Sequence, residues 1–221
     1  LIRGNQKINL EDIDISTKKT LDEIFLTFGT DKGKLDGKKT FYKITKNIKT
    51  KNLFHNYREW VSRKNIYDFE YEVGLDYVSI YEKIFYPIKS KKLNILEIGV
   101  AGGHSHASWY KYFENSQIYG IDIKPENELL YTGKRLKYYK VDCTNQKQIS
   151  KFINNKIKFD IIIDDSLHDY HGYISNLINF LPILNSNGYY FVEDFLHKDK
   201  SLLERRNYNE KKGKKLTGNA M

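Results

Sequence analysis

The residues of this sequence most able to do chemistry are two groups of acids, each ending a short apolar run. The first reads Asp160-Ile161-Ile162-Ile163-Asp164-Asp165-Ser166-Leu167-His168, the second Phe191-Val192-Glu193-Asp194-Phe195. Such runs read as buried strands, and open α/β sheets bind their ligands where the strands end. If the two strands are neighbours, Asp165, Glu193 and Asp194 converge. Three carboxylates held together force protonation or demand a cation. Oxygen ligands that leave room for water and substrate oxygens point to Mg²⁺, or Mn²⁺, rather than zinc. The competing reading is that these acids cap helices or pair with the abundant lysines.

His168 follows Asp165 by three residues, so one turn after the strand can bring its imidazole beside whatever the ion holds. General base is the role it suits. An alcohol is about as weak an acid as water, pKa about 15.7, against about 6.5 for imidazole; the gap corresponds to about 12 kcal/mol, too much for histidine alone. An ion on the hydroxyl oxygen lowers that pKa and orients the attack, so base and metal explain each other.

A second constellation lies upstream. Residues 97–103 (EIGVAGG) give Glu97-x-Gly99-x-x-x-Gly103, small residues where the backbone must turn tightly and a ligand must approach. Asp122 closes the next predicted strand 23 residues beyond Gly99, where a carboxylate can accept from both hydroxyls of an adenosine ribose. Asp142 follows the third strand, at the place of an adenine amino group, and Asp164 is assigned to the cofactor side of the same edge. A dinucleotide is the rival ligand. The spacing lacks the Gly-x-Gly-x-x-Gly that cradles a pyrophosphate, and Glu97 would repel a phosphate but suits the cationic methionine end of S-adenosylmethionine. His104 and His106 follow the glycine turn directly; they and His171 carry a weaker signal.

The elements that must position these groups follow from the pattern. Strands are predicted over residues 94–99, 117–123, 136–141, 159–163 and 188–192, with helices over 105–113, 146–154 and 170–184 between them. That alternation predicts an α/β fold, a Rossmann-like, doubly wound, mostly parallel sheet. Residues 76–87 (DYVSIYEKIFYP) have the apolar spacing of an amphipathic helix against the sheet, ended by Pro87. Three regions are expected: a helical leader and active-site cover over 1–75, a cofactor-binding core over 76–196, and a basic tail over 197–221. Within the leader, residues 32–51 are dense enough in lysine to predict a solvated loop or mobile cover. After Phe195 no segment forms a convincing further strand, so the expectation is that the tail contributes strands not recognisable in the sequence, that the chain is truncated, as Leu1 at its start also suggests, or that another subunit completes the edge.

The 221 residues, 40% hydrophobic, suffice for one such domain. No run approaches the roughly 18 apolar residues of a membrane span, and no signal-like segment opens the chain. The lone Cys143 forms no internal disulfide, so a cytoplasmic setting is expected. Of the +9 formal charge, +5 belongs to residues 197–215, with eight Lys/Arg against three acids. The remainder is scattered, which argues against nucleic acid as a partner.

With these residues in place, the span from about Asp76 to Phe195 resembles the macrocin- and mycinamicin-type sugar O-methyltransferases and the related cephalosporin-hydroxylase-like family, within the class I S-adenosylmethionine-dependent methyltransferases. The matching motifs are ILEIGVAGG, IYGIDI, the Asp-Asp-x-x-His of residues 164–168 and the Glu-Asp of 193–194. The resemblance implies Mg²⁺ binding by Asp165, Glu193 and Asp194, and His168 as base. The family's upstream Gly-Thr-Asp-Lys is present as Gly29-Thr30-Asp31-Lys32, and its His-x-Tyr is matched by His55-Asn56-Tyr57 or, for the tyrosine, by Tyr77. Ser166-Leu167 departs from the usual Gly-Ser before the histidine. The function expected is metal-dependent methyl transfer to a hydroxyl of a sugar or glycosylated small molecule, and a homo-oligomer is compatible with it. The alternatives are an RNA methyltransferase tracking phosphates with the basic tail, and a silent cofactor-binding subunit.

Overall fold

Short apolar runs and amphipathic segments alternate in this chain because a parallel sheet with helices on both faces buries each strand twice. A computed structural model describes residues 7–15, 19–34 and 75–194. In chain order its principal elements are β1 (Ile8–Asn9), α1 (Leu21–Phe28), α2 (Val78–Phe85), β2 (Asn94–Ile98), α3 (His104–Tyr112), β3 (Gln117–Asp122), β4 (Tyr131–Thr132), β5 (Leu136–Lys140), α4 (Gln146–Ile153), β6 (Phe159–Asp164), α5 (Tyr170–Phe180) and β7 (Leu184–Val192). Five strands form one sheet in the order β5-β3-β2-β6-β7, every pair parallel. The chain winds outward from β2 to β5, then crosses back to β6. The switch point therefore lies between β2 and β6, where such sheets bind ligands.

Each face of the sheet has its own core. On one face Ile95, Ile118, Ile161 and Ile163 pack with Val78, Tyr81, Phe85 and Trp109 of α2 and α3. Leu10, Leu21, Ile24, Phe25 and Phe28 join the same cluster, so the described part of the leader is an integral layer of the core. Helix α1 is held at its start by a capping box between Thr20 and Glu23 and stopped at Gly29, whose φ of 76° ends the helix in the left-handed region. Trp109 is the hub, with the Phe25, Tyr81 and Phe85 rings edge-on at 5.0, 5.3 and 5.9 Å. On the opposite face Leu96, Ile98, Ile121 and Val141 pack with Ile149, Phe152 and Phe180 of α4 and α5.

Most predicted elements appear within a residue or two of their expected ends. Strand β7 starts at Leu184, before the predicted 188, and the added Asn185, Ser186 and Asn187 are exposed, so polarity concealed them. The leader, expected to be helical, also contains β1, which pairs in parallel with β4. The carboxyl ends of the central strands are level: Ile98 is in register with Asp164, and Asp164 with Val192. Gly99, Asp165 and Glu193 thus leave the sheet side by side, tied by Asp165 N–H to the Ile98 carbonyl at 2.8 Å and Glu193 N–H to the Asp164 carbonyl at 2.9 Å. Among the described residues no helix is long and apolar enough to cross a membrane.

Candidate active site

The glycine turn after β2 is shaped by two left-handed glycines, Gly99 at φ 90° and Gly103 at φ 89°, the latter opening α3. Between them Ala101 is also left-handed, at φ 50°, and its N–H donates to Asp122 Oδ2 at 2.8 Å. Asp122 Oδ1 accepts from the Lys124 N–H at 3.0 Å, so this acid binds the end of β3 to the glycine turn. Asp142 Oδ1 accepts from the backbone N–H and hydroxyl of Thr144, at 2.8 and 2.7 Å; these bonds hold its carboxyl below the usual range. That turn leads into Asn145, which caps α4.

Glu97 is fully buried beneath the turn. Trp109 Nε1 donates to its Oε1 at 3.3 Å and Ser105 lies close enough to favour its charged form, while among the described residues Oε2 has no hydrogen-bond partner of good geometry. Burial pushes this carboxyl up to about 7, against the opposing pull of Lys32. An acid raised in the folded state binds more protons there than when unfolded, so it removes stability as pH rises from about 4.5 to about 7. Glu97→Gln abolishes that loss. Thermal unfolding at pH 5 and pH 8 should show the variant gaining on the wild type at the higher pH, by on the order of 3 kcal/mol; parallel profiles would refute the assignment.

At the neighbouring strand ends the acids divide into different environments. Asp164 is buried and serves the scaffold: its carboxylate accepts from Asn176 Nδ2 at 3.0 Å, Ser166 Oγ at 2.7 Å and the Tyr190 hydroxyl at 3.1 Å. Glu193 is buried too, with one oxygen taken by the Lys32 ammonium and the other by the Tyr81 hydroxyl. Burial pushes the Glu193 carboxyl up and Lys32 opposes that shift; two donors aimed at its two oxygens are what a carboxylate requires. Asp165 Oδ2 accepts from Lys32 at 2.6 Å, yet the side chain stays partly exposed. Asp194, at φ 55°, is clamped by Tyr77, whose hydroxyl donates to Oδ1 and accepts from the Asp194 N–H at 3.0 Å.

His168 is left-handed as well, at φ 47°. Its Nδ1 lies 3.1 Å from the Tyr173 hydroxyl, which donates its single proton to the Glu193 carbonyl at 2.6 Å. The hydroxyl can only accept from the histidine, so Nδ1 carries the ring proton and Nε2 keeps its lone pair. Ala101, His168 and Asp194 are three of the five non-glycine residues with positive φ among the described residues, and all three stand at this edge, where strain of this kind marks functional sites. Asp165, His168 and Asp194 each offer one ligand atom within 4.8 Å of the others.

The structure thus brings together Asp165, His168, Asp194 and the glycine turn, and turns Glu193 and Asp164 inward. Lys32, expected in a solvated lysine-rich loop, is instead 3% exposed and wedged among carboxylates; lysine density along the chain concealed a partner far away in it. Tyr77 gains a definite role, and Tyr81 and Tyr173 were missed, since a tyrosine at helical spacing reads as core. The Asp31 carbonyl accepts from the Leu75 N–H at 2.9 Å. His104 Nδ1 contacts the Phe28 carbonyl at 2.6 Å, His106 is buried and pushed by burial to about 3, hence neutral, and His171 is exposed. His55, Tyr57, the remainder of the lysine-rich segment and the basic tail lie outside the described residues.

No protein-family model matches the chain. It is 29% identical over 125 residues to the 8-demethyl-8-alpha-L-rhamnosyl tetracenomycin-C 2'-O-methyltransferase of Streptomyces olivaceus, a match covering 53% of this chain and 32% of that protein. It is 26% identical over 121 residues to the mycinamicin VI 2''-O-methyltransferase of Micromonospora griseorubida, covering 52% and 30%. The chain spans about a third of the length of these curated relatives. Among solved structures, MycE methyltransferase from the mycinamycin biosynthetic pathway, in complex with Mg and SAH, superposes with a TM-score of 0.51 at 26% identity, over 62% of this chain and 36% of that one. By sheet order the core of this chain has the Rossmann-like fold of class I methyltransferases, and by sequence it is similar to part of the macrocin-, mycinamicin- and tetracenomycin-type sugar O-methyltransferases.

Proposed function

We propose that the chain carries the S-adenosylmethionine-binding and metal-binding core of an O-methyltransferase acting on a hydroxyl of a sugar or small-molecule glycoside. The observation that carries this reading is the convergence of Asp165, His168 and Asp194 beside the glycine turn, on a core related to enzymes with those names. The residues fit both groups. The unpartnered Glu97 Oε2 and the left-handed Gly99 and Gly103 suit the cationic methionine end, with Asp122 and Asp142 at the ribose and adenine side. Asp165 and Asp194, with His168 beside them, offer a hard divalent cation such as Mg²⁺ or Mn²⁺ a set of close ligand atoms.

When bound, the sulfonium supplies an electrophilic methyl group and the ion lowers the pKa of the acceptor hydroxyl. The chain's own residues do the rest. Asp165 and Asp194 would hold the ion; Tyr77 fixes Asp194; Asp164, through Ser166 and Asn176, fixes the loop that carries Asp165 and His168. Tyr173 sets the tautomer, and His168 Nε2 would take the proton of an acceptor hydroxyl placed beside it. The strain at His168 is consistent with a side chain held for that purpose. A cytoplasmic setting, supported by the lone reduced Cys143, and division into leader, core and basic tail belong to the same proposal.

Calorimetric titration of S-adenosylhomocysteine into the protein, with and without Mg²⁺, tests it. The expected result is cofactor binding in the wild type and in Asp165→Ala, with a Mg²⁺ response in the wild type alone. Absence of cofactor binding under every condition would falsify the reading.

A further inference from the structure

A cleft of about 180 Å³ opens where the leader meets the core, at the end of the sheet opposite the glycine turn. Helix α3 sets the separation: it starts after Gly103, and its nine residues carry the chain about 13 Å to Tyr112. Lys19 and Ile24 form the leader wall of the cleft, with Lys89 and Ser90, ahead of β2, and Lys111 and Tyr112, at the end of α3, on the core side. The Lys89 ammonium lies over the Tyr86 and Tyr112 rings, 4.6 and 5.6 Å from their centroids, and no carboxylate among the described residues forms an ion pair with it. Lys111 Nζ donates to the Ile13 carbonyl at 2.7 Å, which fixes it at the same seam. Glu114 is the acid of the lining, and three lysines against it leave two positive charges in excess. The carboxyl end of a helix ordinarily opposes an anion. Here Arg135 donates to the Tyr110, Phe113 and Ser116 carbonyls at 2.7, 2.9 and 2.6 Å, so the last carbonyls of α3 are already compensated by a cation. The Tyr112 side chain is buried, and its hydroxyl has no hydrogen-bond partner among the described residues. Burial, with Glu82 and Tyr86 nearby, pushes this phenol up, so it stays a proton donor. A donor left without an acceptor at such depth is costly.

We propose that this cleft binds a single phosphoryl group, as inorganic phosphate or as a phosphate monoester, between Lys19 of the leader and Lys89, Lys111 and the Tyr112 hydroxyl of the core. The donor set selects the chemical class. Ammonium groups only donate, and Ser90 and Tyr112 add hydroxyl protons, so the matching ligand is an anion with acceptor oxygens pointing in several directions. The volume selects the size, since it falls below the roughly 300–1,000 Å³ of pockets that enclose a whole small molecule; the rest of an ester would stand in solvent. An anion here relieves the mutual repulsion of lysines from two parts of the chain and ties the leader to the core, so its binding stabilises their contact. The site is remote from the acids at the other end of the strands and does not depend on the methyl-transfer reading.

The test is titration of the full chain with inorganic phosphate at constant ionic strength, chloride being the balancing anion, read by calorimetry and by the rise in melting temperature. Lys89→Gln is expected to weaken phosphate binding about tenfold, and Tyr112→Phe about threefold. Without phosphate, Tyr112→Phe should melt no lower than the wild type, because it loses only an unpaired hydroxyl. Lys151→Gln removes the same charge from an exposed position of α4, on the opposite face of the sheet, and should bind phosphate as the wild type does. Glycerol 3-phosphate separates the two sources of the group: tighter binding than phosphate identifies a phosphorylated metabolite, weaker binding the free ion. A wild type that neither binds phosphate nor gains melting temperature from it overturns the inference. So does phosphate binding that is unchanged in both Lys89→Gln and Tyr112→Phe, or weakened as much by Lys151→Gln, since the anion would then rest on lysines outside the cleft.

Discussion

His168→Ala is expected to lower the methyl-transfer rate constant about 10²–10⁴-fold, the contribution of a positioned general base, with S-adenosylhomocysteine and Mn²⁺ affinities preserved. The size follows from how much of the local structure is devoted to this ring. The backbone holds it at φ 47°, a conformation that costs about 1–3 kcal/mol for a residue with a side chain. Tyr173 fixes Nδ1 as the protonated nitrogen, and Asp194 Oδ2 lies 3.8 Å from the same nitrogen. Steady-state and single-turnover rates with a glycoside acceptor would measure the effect. Both falling together would place the loss in the chemical step, and an unchanged single-turnover rate would remove His168 from proton transfer.

Preserved cofactor affinity separates this variant from those that damage the scaffold. The imidazole is among the more exposed groups of the site, 43% by side chain. Among the described residues it makes one direct hydrogen bond, to a tyrosine anchored independently by the Glu193 carbonyl. Removing it leaves Asp165, Asp194 and the glycine turn in place. Loss of cofactor or metal affinity alongside the rate would indicate that the ring supports the loop, and the assignment as base would lose its main support.

The sheet and its reactive edge were legible in the sequence because the burial of the strands is two-sided. Strand β6, with Ile161, Ile162 and Ile163 all fully buried, can only read as an uninterrupted apolar run, and the acids that follow stand out against it. Strand β7 was legible only over its last half, because its first half lies at an edge where Asn185 and Ser186 meet water. Convergence of Asp165 with Asp194 needed one assumption, that β6 and β7 are adjacent, and their register bears it out. The internal partners of the acids were not legible, for a different reason. Lys32 is 133 residues from Asp165 and 161 from Glu193, and Tyr77 is 117 from Asp194. Periodicity reports which face of an element is buried and is silent about which distant charge meets it. The Gly-Thr-Asp-Lys match at residues 29–32 was the only available sign that Lys32 differs from the lysines that follow it.

The glycine turn supports the second large prediction, because there the fold and the site depend on the same atoms. Gly99→Ala is expected to destabilise the protein by about 3 kcal/mol or more and to lower its melting temperature by about 10 °C. At φ 90° an alanine is strained whatever the space around it. There is also no space, since its Cβ would stand 2.2 Å from the Asp165 carbonyl oxygen and 2.7 Å from the carbonyl carbon. Those are backbone atoms at the end of β6, so relief requires moving the residue whose carboxylate is proposed to hold the ion. Cofactor and Mn²⁺ binding should therefore fall together in Gly99→Ala. Gly102→Ala, in the same turn, is the control: its Cβ would meet only the His104 ring, at 3.3 Å, and its φ is not in the left-handed range. Equal melting temperatures for the two variants would mean that β2 and β6 can separate at this edge without cost. In that case the close packing of Gly99 on Asp165 could not be what aligns the cofactor turn with the acids.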